Sequence, residues 1–219
     1  MIEVITAPTL APAMMKDTKI NVFLAGGITN CLVWQDEVIE HLQRLDAQKM
    51  QSSPSIRVFN PRRKNFPIGD PGAAMEQIKW EYDVLSNPRL DIFSMYFCAG
   101  PSDQPICMYE LGRYSVMFKN RFDVDDIRSR VIVSVEEGYK RAQDVFIQLG
   151  FDPVLSQSNI NEGSTPKDHA RRIYESACKI HMIQNLRALP VTNDNDLATL
   201  DSFYHKFESL YWQYDDLKA

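Results

Sequence analysis

The sequence predicts an α/β fold: a five-stranded parallel sheet with helices on both faces and a helical C-terminal extension. Three observations carry that prediction. Short runs rich in β-branched and aromatic residues alternate with longer amphipathic segments, the pattern of strand, crossover helix and strand. The runs end in glycine, proline or asparagine turns. Beyond about residue 160 the strand-like runs stop and helical periodicity takes over.

The elements follow in order. Residues 1–17 read as a leader strand or loose arm. "KINVFLAGG" is a buried strand running into the tight Gly26-Gly27 turn. Asn30 is the expected N-cap of the next helix, whose apolar positions are Leu32, Val33, Val38, Ile39, Leu42 and Leu45. "SIRVFNP" is the second strand and "RRKNFPIGDPG" a polar loop. "AAMEQIKWEYDVLS" is a helix broken by "NPR". "LDIFSMYF" is the third strand, "CAGPSDQP" a loop, and Pro105 the first residue of another helix. "RVIVSV" is the fourth strand. "YKRAQDVFIQLGF" is a helix ending at Gly150, and "DPVL" a short fifth strand. "SQSNINEGSTP" reads as loop, followed by helices over 166–188 and 195–217. Phe203, Phe207, Leu210 and Tyr214 fall at helical spacing and predict an apolar stripe. The expected division is an arm over 1–18, a main domain over 19–158 and the extension over 159–219.

Composition excludes some functions. A chain of 219 residues, 44% hydrophobic, supports one sizeable core. The net charge of −5 and pI near 5.4 argue against a basic face for nucleic acid. Cys31, Cys98, Cys107 and Cys178 have no CxxC spacing, which fits free thiols and gives no metal-site signal. His41, His169, His181 and His205 have no ligand spacing and are read as structural; no metal and no cofactor is expected. The N-terminus lacks the charged and apolar regions of a secretory signal, and no apolar run reaches membrane-spanning length. A cytoplasmic protein is expected, with no membrane partner.

In an open parallel sheet, ligands bind beyond the carboxyl ends of the strands. That places "AGGITN", "NPRRKNF" and "CAGPSDQP" at the site, with Glu110 in "QPICMYELGRYS" one to two turns into the following helix. An Arg113 pair at i+3 would make Glu110 a plain surface acid. Gly112 inside the helix and the apolar flanks argue instead for close approach and a partly desolvated carboxylate. A second acid cluster, Glu81 and Asp83, lies in "KWEYDVL". Arg62, Arg63 and Lys64 form a basic loop where a base or phosphate could be held.

"VFLAGGITN…WQDEVIEHL", "VFNPRR", "EQIKWEYDVL…LDIFSMYF" and "PICMYELGRY…VIVSVEEGYKR" follow one another over about residues 19–151. This ordered set resembles the nucleoside 2-deoxyribosyltransferase superfamily, most closely its nucleoside 2-deoxyribosyltransferase-like branch. "YELGRY" is also similar to a segment of the related deoxynucleoside 5′-monophosphate N-glycosidase. The resemblance implies a flavodoxin-like, Rossmannoid sheet. It implies that Glu110 is the nucleophile and that Asp83, eight residues before Asp91, is the acid/base. It implies that Gly26, Gly27, Thr29 and Asn30 shape the sugar pocket. Asn60, Arg62, Arg63 and Gln104 join the expected substrate contacts. In the family a neighbouring subunit completes the site, often through an asparagine of an "NV" pair. Here Asp144-Val145 stands at that place, and Val22 and Phe23 replace a tyrosine common in the first strand.

The expected activity is cleavage of the N-glycosidic bond of a (2′-deoxy)nucleoside or nucleotide through a glycosyl-glutamate intermediate. The sugar then passes to another nucleobase or to water. The alternative is a catalytically silent nucleotide-binding or assembly module of the same fold. A nicotinamide-dependent oxidoreductase is disfavoured: "AGGITN" lacks the GxGxxG spacing, and Asn60 stands where an acid would close the second strand. The expected partners are a small nucleoside or nucleotide and further copies of the chain, with a dimer as the minimum.

Overall fold

The computed structural model describes residues 1–9, 17–48, 53–67, 69–152, 155 and 160–187. The order is β1 (Ile2–Thr6), β2 (Ile20–Gly26), α1 (Trp34–Ala47), β3 (Ile56–Asn60), α2 (Pro71–Leu85), β4 (Ile92–Phe97) and α3 (Pro105–Lys119). It continues with α4 (Val124–Ile127), β5 (Val131–Val135), α5 (Ala142–Gly150), β6 (Ile160–Glu162) and α6 (Pro166–Arg187). The strands form one sheet in the order β1-β3-β2-β4-β5-β6, every pair parallel.

The sheet has six strands rather than five. The leader forms edge strand β1, its Ile2 in register with Ile56. "DPVL" is not the far edge: Asp152 and Leu155 lie outside any strand, and β6 comes from "SQSNINEGSTP", read above as loop. Three residues with one apolar member carry little strand signal; pairing with β5 defines them. Two compact units divide the chain at Met1–His181 and Met182–Ala219. The second expected C-terminal helix and its aromatic stripe lie outside the described residues.

Each face has its own packing. Phe23, Phe59, Phe93, Met95 and Phe97 meet Trp80, Val84 and Leu85 of α2 and Leu111, Tyr114 and Phe118 of α3 in one core. On the other face, Trp34 of α1 packs against Tyr96 with ring centres 4.9 Å apart, and both meet His169 of α6. His169 is fully buried, its ring nitrogens 2.6 Å from Ser94 Oγ and 2.8 Å from Ser134 Oγ. Desolvation, with the nearby Arg172 charge, pushes this imidazole down to about 3. It is a neutral buried bridge between sheet and helix.

Strand order positions the site. The chain leaves β2 toward β3 on one side and leaves β4 toward β5 on the other. The carboxyl ends of these adjacent strands therefore open a crevice, the place where parallel sheets bind ligands. Gly26 closes β2 opposite Tyr96 with φ of +151°; a Cβ there would lie 2.3 Å from Tyr96 O.

Candidate active site

A cavity of about 240 Å³ occupies that crevice. Phe23, Ala25, Gly26 and Gly27 from β2 and its turn form one wall, and Ile28 and Thr29 extend it. Pro61 follows β3, Glu81 projects from α2, and Ser102, Gln104, Ile106 and Glu110 belong to the β4–α3 segment.

Glu110 reaches the cavity because of its place on α3. Cys107, Leu111, Tyr114 and Phe118 bury one stripe of that helix, and Glu110 stands three residues after Cys107 and four before Tyr114. Arg113 is not its partner: it donates to Tyr109 Oη at 3.2 Å and lies over the Tyr82 and Tyr114 rings. The Glu110 carboxyl accepts no hydrogen bond from the described residues. Burial, and then the negative charge of Glu81, push it up to about 8.

The second carboxyl in the cavity is Glu81. Burial raises its pKa as well, opposed by a hydrogen bond from Gln77 and by the Arg63 charge. Asp83, expected beside Glu110, lies elsewhere: its side chain is 55% exposed and ion-paired to Lys79. Helix phase is the reason. Gln77, Trp80, Val84 and Leu85 face inward, and Glu81, one turn after Gln77, shares that face. Asp83 shares the outer face with Lys79. Once Trp80 and Val84 were assigned to the core, this phase was available in the sequence.

The remaining expected contacts divide. Gly26, Gly27, Thr29 and Gln104 line the cavity. A Cβ at Gly27 would lie 2.4 Å from Cys31 Sγ and 2.6 Å from Gln104 Oε1, so a larger residue there would displace these side chains. Gln104 precedes α3 in the left-handed region, φ 50° and ψ 50°, a costly conformation for a residue with a Cβ. Its amide donates to Cys98 O at 2.7 Å, which anchors the loop at the foot of α3. Asn30 does not cap α1: it sits in the turn with φ of 58°, and the helix begins at Trp34. Gly112 marks no close approach, since a Cβ there meets nothing within 4 Å.

Asn60, Arg62, Arg63 and Asp144 are not among the cavity-lining residues. Asn60 Oδ1 accepts from Arg62 N at 2.9 Å. The Arg62 guanidinium donates to Leu32 O at 2.8 Å, Cys31 O at 3.1 Å and Gln35 Oε1 at 3.3 Å, so it staples the β2–α1 turn. Arg63 pairs with Glu76 at 2.8 Å and lies over Phe66. Asp144 opens α5 and pairs with Arg141 at 2.6 Å.

The sequence reading passed over Pro61, Ser102, Ile106 and Cys107 as cavity wall, and Gln77 behind Glu81. Among the described residues no helix is long and apolar enough to cross a membrane, and no group of three metal-ligating side chains occurs.

Two partly buried carboxyls facing one cavity, both with pKa values raised by desolvation, can hold a single proton between them and deliver it in a reaction. No curated protein matches the chain. Residues 19–125, which include every cavity-lining residue, match the family described as "Nucleoside 2-deoxyribosyltransferase like", and over this segment the chain is similar to that family.

Proposed function

We propose that the chain cleaves the N-glycosidic bond of a (2′-deoxy)nucleoside or nucleotide, with Glu110 as nucleophile and Glu81 as its carboxyl partner. The carrying observation is the shared cavity of Glu81 and Glu110, with Glu110 pushed up to about 8. At neutral pH the pair then holds one proton. That proton goes to the departing base, whose nitrogen is a poor leaving group until protonated. The ionised Glu110 carboxylate bonds to C1′ as the C1′–N bond breaks, and the anionic Glu81 stabilises positive charge on the sugar. In the second half, water or another base attacks C1′. The ester bond to Glu110 breaks, and the attacker's proton returns to the pair. The configuration at C1′ is retained overall.

Phe23, Ala25, Pro61 and Ile106 give the cavity apolar wall around these groups. Gly26, Gly27, Thr29 and Gln104 are the proposed substrate contacts. Arg62 serves by holding the turn that carries two of them, Gly27 and Thr29. The chain assembles as a homo-oligomer, at least a dimer. Met75, Ile78 and Tyr82 of α2 and Ile106 and Tyr109 of α3 expose apolar surface on the two helices that carry Glu81 and Glu110, and support that reading. Cys31, Cys98, Cys107 and Cys178 form no disulfide, which fits a reducing, cytoplasmic setting.

The test is incubation with a panel of nucleosides and 5′-monophosphates, with free base measured by chromatography. Base release with wild type and none with Glu110→Gln supports the reading. A second base that captures the sugar identifies a transferase, and free sugar identifies a hydrolase. No release from any member of the panel favours the silent-module alternative.

A further inference from the structure

Gln77 stands behind the acid pair, on α2 one turn before Glu81 and only 9% exposed. Its amide nitrogen is 2.6 Å from Pro61 O and 2.6 Å from Glu81 Oε1. A backbone carbonyl can only accept, so Pro61 fixes which end of the amide faces it. The second N–H of the same nitrogen is then directed at Glu81. The Gln77 oxygen is buried with no partner, so the orientation is dictated by the two acceptors on the nitrogen side. Flipping the amide would put its oxygen against both of them.

A hydrogen bond received by a carboxylate favours its ionised form. Glu81 receives one from Gln77, and Glu110 receives none from the described residues. The groups acting on Glu81 are Gln77 on its own helix, Arg63 from the β3–α2 loop, and Glu110 and Cys107 from α3. Gln77 and Arg63 favour the Glu81 anion.

We propose that Gln77 is a positioning residue: held by Pro61 O, its amide fixes Glu81 as the accepting carboxylate of the pair and so places the pair's single proton on Glu110. The assignment rests on the two-carboxyl reading above and extends it. Glu110 begins the cycle as the acid and becomes the nucleophile only when its proton has gone to the base. The proton passes from Glu110 to the departing base, and the attacking water or base returns one to the pair, so the cycle closes with no net gain or loss.

The experiment follows the carboxyl carbons of [13C]glutamate-labelled, substrate-free protein by NMR across pH 4 to 10. Wild type, Gln77→Met, Glu81→Gln and the double variant are compared, with Glu110→Gln to assign the signal. Losing the amide lets Glu81 take a share of the proton. The share of the high titration carried by the Glu110 carbon then falls in Gln77→Met and the Glu81 carbon gains it, as the proton affinity of Glu81 rises by about one pH unit, the scale of one hydrogen bond to a charged group. In the Glu81→Gln background, Gln77→Met moves the Glu110 titration no further. A purely packing role for Gln77 predicts no shift in the first case or the same shift in both, and either result overturns the proposal. Gln77→Leu replaces Gln77→Met if circular dichroism shows the latter unfolded. The titration needs no turnover, so the two readings fail separately. An inactive wild type with the predicted shifts removes the glycosidic reaction and keeps the Gln77 assignment. An active enzyme with unmoved titrations does the reverse.

Discussion

Glu81 and Glu110 stand on different helices, α2 and α3, yet line one cavity, and the charge of Glu81 adds to burial in pushing the Glu110 carboxyl up to about 8. The proposed chemistry depends on this relationship. A lone buried glutamate would be a poor acid and a poor nucleophile. A pair divides the two states between its members.

The first prediction separates the two acids of "KWEYDVL". Glu81→Gln leaves the shape of the cavity and removes its second charge, and kcat falls by about 10²–10⁴-fold, the range of lost proton-transfer catalysis. Asp83→Asn removes only an exposed ion pair with Lys79; such pairs are worth about 0–1 kcal/mol. Its kcat stays within about twofold of wild type. Steady-state kinetics on the two variants checks this, and a larger loss in Asp83→Asn would place the acid on the other side of the helix.

The pH dependence follows from the same pair. Activity requires one proton on it. The Glu110 proton is lost as pH rises through about 8, so kcat/KM falls above that value. Glu81, whose pKa is raised by burial above its ordinary 4.5, takes a second proton on the acid side, so kcat/KM also falls there. The profile is a bell, and its two limbs belong to the pair rather than to single residues. Glu81→Gln removes the partner charge and moves the basic limb to lower pH.

Arg62 makes a separate prediction. Its guanidinium binds the carbonyls of Cys31 and Leu32 in the turn that carries Gly27 and Thr29. Arg62→Met keeps the stem and loses these bonds, each worth about 1.5–3 kcal/mol when the donor is charged. The expected result is a KM increase larger than the loss in kcat. Arg62→Lys does not rescue it, because an ammonium lacks the planar fork. A variant with unchanged KM would show that the turn holds without the staple.

Stability toward acid has its own origin in His169. The imidazole is neutral in the folded chain, near 3, and about 6.5 when exposed. Between those values the unfolded chain binds the extra proton, so the stability from burying neutral imidazole is present above pH 6.5 and is lost as pH falls toward 3. His169→Gln lacks this titration. Urea midpoints measured at pH 7 and pH 4.5 should differ less in the variant than in wild type.

The sequence was most legible where a side-chain pattern and a turn agreed. The β2 run into Gly26-Gly27, and Pro105 opening α3, both stand as read. Glu110 stands out in the sequence because a carboxylate inside an apolar run conflicts with its neighbours. The edge strands were harder, because β1 and β6 exist through pairing with β3 and β5 rather than through composition. Spacing along the chain points to Asp83, whereas rotation along the helix turns Asp83 toward Lys79 and Glu81 toward the cavity. Residue type alone does not show that backbone carbonyls hold Arg62 and that Glu76 holds Arg63. Gln77 carried no signal, since a buried amide matters only through its partners.

The central claim is that Glu110 forms a covalent bond to the sugar. Mass spectrometry of protein quenched in acid during turnover of a 2′-deoxynucleoside, or of its slow 2-fluoro analogue, tests it most directly. The account predicts a glycosyl adduct on the peptide containing Glu110, present in wild type and absent in Glu110→Gln. Continued turnover by Glu110→Gln, or an adduct on a different carboxylate, would contradict it.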